Sequence, residues 1–184
     1  MPPENQSHLV WMDLEMSGLD PKTCSILEIA SLITDKDLNL IAEGPHLVIH
    51  QPSSVLEAMD EWNQKHHSRS GLVEAVKNST TTLAEAERRT LEFVASHCAP
   101  QSSPLCGNTI YQDRRFLIEY MPQLEAYLHY RLVDVSTVKE LVKRWYGPEF
   151  QAPPKKQSHK ALDDILETVE ELRFYRDKVF RSPS

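Results

Sequence analysis

The stretch Leu9-Val10-Trp11-Met12-Asp13-Leu14-Glu15-Met16 constrains the fold of this chain more than any other. It is apolar on both sides of a strand, apart from two carboxylates placed two residues apart. Strand side chains alternate, so Leu9, Trp11, Asp13 and Glu15 share one face, while Val10, Met12, Leu14 and Met16 share the other. A strand apolar on both faces suits the centre of a covered sheet. There an unpaired charge is expensive, and two on one face, roughly 7 Å apart at the backbone by strand rise, need cations. A D-x-E pair alone is more often a strand end that has emerged into solvent, so the decision falls to the rest of the chain.

With 184 residues, 40% of them hydrophobic, the sequence is long enough for one well-buried core and short for two domains without a clear linker. A single domain over residues 1–184 is expected. The formal net charge of -7 argues against a large basic surface that tracks a long nucleic acid. A short nucleotide ligand stays compatible with it, because cations bound to acids neutralise charge locally. Cys24, Cys98 and Cys106 are widely spaced and form no C-x-x-C pattern, which points to a reducing cytoplasm and not to a disulfide or zinc framework. There is no apolar run of membrane-spanning length and no signal-peptide core near Met1 to Ser7, so no membrane or export role is expected.

Beyond the turn at Ser17 to Pro21, Ile26 to Thr34 reads as a second strand and Leu38 to Ile49 as a third, a meander with the carboxylate strand at one end. Helical patterning follows over Val55 to Trp62, Ser70 to Lys77 and Thr82 to Cys98. In the last of these Leu83, Ala86, Thr90, Leu91, Val94 and Ala95 form the apolar side. A short strand at Leu105 to Gly107 leads to a helix from about Gln112 to Met121 and a further one from Pro122. Tyr130 to Val135 is the fifth strand, followed by a helix capped by Ser136 and running to Trp145. Gly147 to Gln157, with three prolines, is an irregular loop, and Ser158 opens a last helix reaching Phe180. Strands first, then strands alternating with helices, predict an α/β fold: a mixed sheet with helices on both faces and Asp13 and Glu15 on its central strand.

Two later acids stand where further ligands could arrive. Asp113 opens a helix, a position where an acid is also simply favourable to the helix N-terminus. On the last helix Ala161, Leu162, Ile165, Val169, Leu172 and Val179 define the buried side. Asp163 then points away from that side and Asp164 lies roughly 90° from its centre, at the boundary of core and solvent, which makes Asp164 the better ligand. His159 projects from the loop or first turn, where a lone histidine is more often a capping or solvent group.

These residues together resemble the three motifs of the DEDDh exonucleases, whose fold is ribonuclease H-like with a mixed five-stranded sheet flanked by helices. Within that group, Trp11 to Leu19, Gly107-Asn108-Thr109, Asp113 to Leu117, His129-Tyr130-Arg131 with Asp134 to Thr137, and His159 to Asp164 closely resemble the oligoribonuclease family. The resemblance covers nearly the whole chain and also selects Asp164 over Asp163. One departure is Thr109, where bacterial members often carry serine; the hydroxyl is kept.

The resemblance implies a 3′-5′ exoribonuclease that degrades very short oligoribonucleotides, especially 5′-phosphorylated diribonucleotides, to nucleoside 5′-monophosphates at the end of RNA turnover. Asp13, Glu15, Asp113 and Asp164 would hold two Mg²⁺ or Mn²⁺ ions about 4 Å apart, with His159 as general base. Leu19 would wedge between two bases, with Trp62 and His67 as stacking or packing partners. Thr109, Arg131, Ser136 and Thr137 would cap a 5′-phosphate, the last three coming with Tyr130 from the partner chain of a homodimer. Bland alternatives exist for Trp62 as core, Arg131 as a solvated strand end and Ser136 as a helix cap. Rival expectations are a nuclease on longer strands, which would carry a more basic groove, and a binding protein that kept the fold without activity.

Overall fold

The computed structural model describes residues 8–153 and 161–180. Its centre is β1 (Leu9–Met16), which pairs antiparallel with β2 (Ile26–Thr34) on one side. On the other side it pairs parallel with β4 (Pro104–Gly107). β3 (Leu40–Val48) lies antiparallel outside β2, and β5 (His129–Asp134) lies parallel outside β4. The order is β3-β2-β1-β4-β5, so the carboxylate strand is the middle one of a five-stranded mixed sheet. The ribonuclease H-like arrangement that the resemblance implies is the one observed.

Helices cover both faces, as the double apolarity of β1 requires. Against one face, Val10, Met12 and Leu14 pack on Ala86 and Val94 of α4 (Leu83–His97), Phe116 and Leu117 of α5 (Ile110–Tyr120), and Leu124 of α6 (Pro122–Tyr127). Against the other, Trp11, Ala30 and Leu32 pack on Val135 and Val142 of α7 (Val135–Trp145) and on Ile165, Val169 and Tyr175 of α8 (Ala161–Lys178). Trp11 is wholly buried and its indole N–H donates to Thr34 Oγ1 at 3.0 Å, which removes the cost of hiding a polar atom. A smaller cluster gathers Leu27 with Leu56, Met59, Leu72 and Val76 under α1 (Ser53–Glu57), α2 (Glu61–Ser70) and α3 (Leu72–Asn78). No helix of the described residues is long and apolar enough to cross a membrane.

Where the structure departs from expectation, a polar contact explains it. The segment expected as one helix over Val55 to Trp62 is broken between α1 and α2, because Asp60 turns outward and accepts from Asn63 N as the cap of α2. Thr82 caps α4. Ala95 of that helix is exposed, and the buried side instead includes Glu87, only 8% exposed. Glu87 accepts from the backbone amides of Gln123 at 2.7 Å and Leu124 at 3.2 Å, so it caps α6 from a different helix. The cap of α7 is Asp134 and not Ser136: Asp134 Oδ1 accepts from Ser136 N at 2.9 Å, the charged acceptor suiting the helix N-terminus, and the Ser136 hydroxyl is turned to other partners. A 3-10 turn at Pro148–Phe150 interrupts the loop after α7. The expected start of the last helix at Ser158 lies outside the described residues.

Candidate active site

The carboxyl end of β1 brings its two acids out between the sheet and α8. Asp13 faces Ala30 and Glu15 faces Glu28 across the β1–β2 ladder, and a bulge follows Glu15. The packing of Ala161, Ile165 and Val169 on Trp11, Ala30 and Leu32 presses α8 onto this face and fixes its rotation. That rotation leaves Asp163 exposed and Asp164 half-buried at the edge of the core. One carboxylate oxygen each from Asp13, Glu15 and Asp164 then lie within 4.8 Å of one another. The helix geometry read from sequence selects the acid that the structure brings in.

Asp113 comes from the opposite face of the sheet. α5 begins at Ile110, two residues before the expected start, so Asp113 sits inside its first turn and is buried. Its Oδ1 accepts from the backbone amide of Leu14, the residue between the two acids of β1, at 2.9 Å. It is not one of the three acids whose oxygens converge, but its charge is coupled to Asp13 and Glu15. The turn before it is built under strain. Thr109 adopts φ 53°, a left-handed conformation that a β-branched residue takes at a cost of about 1–2 kcal/mol. Its backbone N–H is held by both Asp134 Oδ1 and Ser136 Oγ at 2.9 Å each.

Electrostatics show how strongly these acids act on one another. Burial, followed by the charges of Asp13, Glu28 and Asp164, pushes the pKa of Glu15 from 4.5 to about 8. Burial and then the Asp13 charge lift Asp113 well above the usual carboxylate range, against the opposing effect of the Leu14 amide. Acids this close cannot all ionise unless cations enter among them. Oxygen donors converging from a strand and a helix are the ligand set for hard divalent ions, so these residues fit such a group. Glu28, 6% exposed, adds charge from the next strand and is paired to His46 Nε2.

The expected substrate residues fall into two sets. Leu19, at the tip of the turn after β1, is 73% exposed, and Trp62 is 67% exposed with its ring stacked on His66 at 4.7 Å. His67 is buried: its Nε2–H donates to Met16 O at 2.9 Å, and Nδ1 stands 3.9 Å from Glu15 Oε2. Burial holds its pKa below the ordinary value, and its bond to Met16 fixes the strand beyond Glu15. At the other end, Thr109 Oγ1 lies 3.1 Å from Ser136 Oγ in the same chain, and Ser136 also donates to Asn108 Oδ1. Ser136 therefore reaches Thr109 within one chain. Tyr130, 70% exposed, stacks on His129, and Arg131 lies 5.5 Å from the centre of the Tyr130 ring. Thr137 is exposed on the first turn of α7. His159 lies outside the described residues.

Sequence reasoning missed three contributors. Glu28 carried a signal, being the lone charge in the apolar run Ile26 to Ile33 and in register with Glu15. His66, on which Trp62 stacks, and Gln112, which donates to Leu19 O at 2.5 Å, gave none, because the fold alone brings them these neighbours.

Residues 10–172 match the exonuclease family model RNase_T. The chain is 56% identical over 177 residues to an oligoribonuclease of Marinobacter nauticus, covering 96% of this chain and 98% of that protein. It is 53% identical to a human mitochondrial oligoribonuclease over 94% of this chain and 73% of that one. The fold is also similar to exonuclease I of E. coli in complex with a dT13 oligonucleotide, with a TM-score of 0.68 at 17% identity. That match covers 95% of this chain and spans only 41% of that structure. Matches of this identity over nearly the whole chain, joined to the exonuclease family model, establish that the chain belongs to the oligoribonuclease family of exonucleases.

Proposed function

We propose that this protein is a 3′-5′ exoribonuclease acting on very short oligoribonucleotides, above all 5′-phosphorylated diribonucleotides, and releasing nucleoside 5′-monophosphates as the last step of RNA turnover. The observation that carries this reading is the convergence of Asp13, Glu15 and Asp164 oxygens beside a fourth acid, Asp113, which is buried. The family match over residues 10–172 supports one exonuclease domain across residues 1–184.

Asp13, Glu15, Asp164 and Asp113 would hold two divalent ions, Mg²⁺ or Mn²⁺. When bound, such ions polarise phosphoryl oxygens and make water a stronger nucleophile near neutral pH. The chain's own groups do the rest. His159 takes a proton from the attacking water, its ordinary pKa lying near working pH. The water oxygen bonds to phosphorus, the bond from phosphorus to the 3′-oxygen breaks, and that oxygen leaves with a proton from solvent. Leu19 wedges between the two bases, and Trp62 offers an exposed ring for stacking, which tolerates any base. Thr109 and Ser136, with Arg131 and Thr137, bind the 5′-phosphate and close the site behind two nucleotides. A homodimer supplies Tyr130 and Arg131 to the partner's site, a role supported by the 70% exposure of the Tyr130 ring. Three free cysteines, two of them buried, support a reducing, cytoplasmic setting.

The test is product analysis. Purified protein with Mn²⁺ and a 5′-phosphorylated diribonucleotide is expected to yield two nucleoside 5′-monophosphates, and none after chelation. A 2′,3′-cyclic or 3′-phosphate product, or undiminished cleavage in chelator, would overturn the proposal.

A further inference from the structure

The turn that presents Leu19 is held almost entirely through its backbone. Ser17 N donates to Ser25 O and Ser25 N to Ser17 Oγ, both at 2.9 Å, closing the base of the turn. The Tyr120 hydroxyl reaches Pro21 O at 2.8 Å and Cys24 O at 2.6 Å, tying the far limb to α5. A Cβ at Gly18 would meet Cys24 Sγ at 2.5 Å, so a side chain there would have to displace that thiol. At the tip itself Leu19 O accepts weakly from Arg115 Nη1 at 3.4 Å and closely from Gln112. The Gln112 Nε2–H donates to Leu19 O at 2.5 Å, while its Oε1 accepts from Arg115 Nη1 at 2.8 Å. The Arg115 contact leaves the amide only one orientation, nitrogen toward Leu19. Gln112 is 9% exposed, so this bond is shielded from competing water.

Position gives this bond its meaning. Gln112 directly precedes Asp113, and Asp113 is fixed to Leu14 of β1. Two consecutive residues of α5 thus grip the Leu19 carbonyl and the strand that carries Asp13 and Glu15. A leucine 73% exposed has little packing to hold it, so its place relative to the acids is set chiefly by whatever holds its backbone. We propose that Gln112 is a specificity-determining positioning residue, which registers the Leu19 wedge against the acid cluster and so sets the preference for two-nucleotide substrates. The inference rests on the reading of Leu19 as the base wedge.

Steady-state kinetics with Mn²⁺ on 5′-phosphorylated RNAs of two and four nucleotides test it, in wild type, Gln112→Met, Leu19→Ala and the double variant. Gln112→Met keeps the length of the side chain and adds no charge near the acids. It is expected to lower the ratio of kcat/KM on the two-mer to that on the four-mer by about three- to tenfold, mainly through KM on the two-mer. Adding it to Leu19→Ala is expected to change that ratio no further, because the two substitutions remove one device. If Gln112→Met does not fold, Arg115→Met, which removes its own long bond to Leu19 O and frees the amide to turn, is expected to shift the ratio the same way by a smaller factor. An unchanged ratio in Gln112→Met while Leu19→Ala lowers it would overturn the inference, as would an equal loss of kcat on both lengths. An unchanged ratio in Leu19→Ala would instead overturn the wedge reading, and the inference with it.

Discussion

Leu14 N donates to Asp113 Oδ1 at 2.9 Å, so the acid of α5 is fastened to the strand midway between Asp13 and Glu15. One hydrogen bond sets the fourth acid beside the strand that carries two of the others and ties α5 to the middle of the sheet. Asp113→Asn keeps an acceptor for Leu14 but loses the charge. Its melting temperature without metal should stay at or above that of wild type, while kcat/KM with Mn²⁺ falls by roughly 10²-fold or more. Calorimetry and a dinucleotide assay on the same preparation check both halves.

Neighbouring acids of α8 make a sharper comparison. Asp164 contributes to the oxygen cluster and Asp163 is exposed. Asp164→Asn is expected to lose roughly 10²-fold or more in kcat/KM, and Asp163→Asn to stay within about twofold. Equal losses would mean that the rotation of α8 is not as described.

The acid cluster should also be visible in stability against pH. Glu15 has its folded pKa raised from 4.5 to about 8, so the folded state keeps a proton that the unfolded chain releases near pH 4.5. This contribution is fully present below pH 4.5 and lost as pH rises through about 8, and Asp113 acts in the same direction. In chelator, the melting temperature of Glu15→Gln relative to wild type should therefore rise between pH 5 and 8, reaching about 2–4 °C above it for each kcal/mol of repulsion removed. Saturating Mn²⁺ should reverse the order at pH 8, because ions bind the ionised acids of wild type. A difference that stays flat across this range would contradict the assignment.

Glu87 offers a test of the fold apart from the chemistry. Truncation to alanine leaves the amides of Gln123 and Leu124 without their acceptor, at a cost of about 2–3 kcal/mol in urea unfolding. Glu87→Gln keeps an acceptor oxygen and should lose less than half of that.

If Tyr130 serves the partner's site, Tyr130→Ala and Asp13→Ala are each inactive alone but complementary. A statistical mixture after refolding or subunit exchange should recover about a quarter of wild-type activity on the dinucleotide, since one site in each mixed dimer has both residues. No recovery in dimers shown to have mixed would count against the role in trans.

Much of this could be read from the residues because burial leaves few choices. An all-apolar strand with two acids on one face had to be central, and Trp11 and Met12 do face opposite helical layers. Asp164 was separable from Asp163 because 3.6-residue periodicity turns one of them to the edge of the core. What stayed hidden depends on distant partners. Nothing near Glu87 announces that it caps α6, and nothing near Gln112 says that a turn more than ninety residues away presents it with a carbonyl. Ser136 looked like a cap because serine is a good one; Asp134 does that work with a full charge.

Length selectivity is the most direct test of the central claim, that Asp13, Glu15, Asp113 and Asp164 serve a site closed behind two nucleotides. With Mn²⁺, wild-type protein is given 5′-phosphorylated RNAs of two, four and ten nucleotides in turn, and kcat/KM is compared. The account predicts the highest value on the two-mer and a steep fall with length, all of it absent in Asp13→Ala. A ten-mer degraded faster than the two-mer would contradict it.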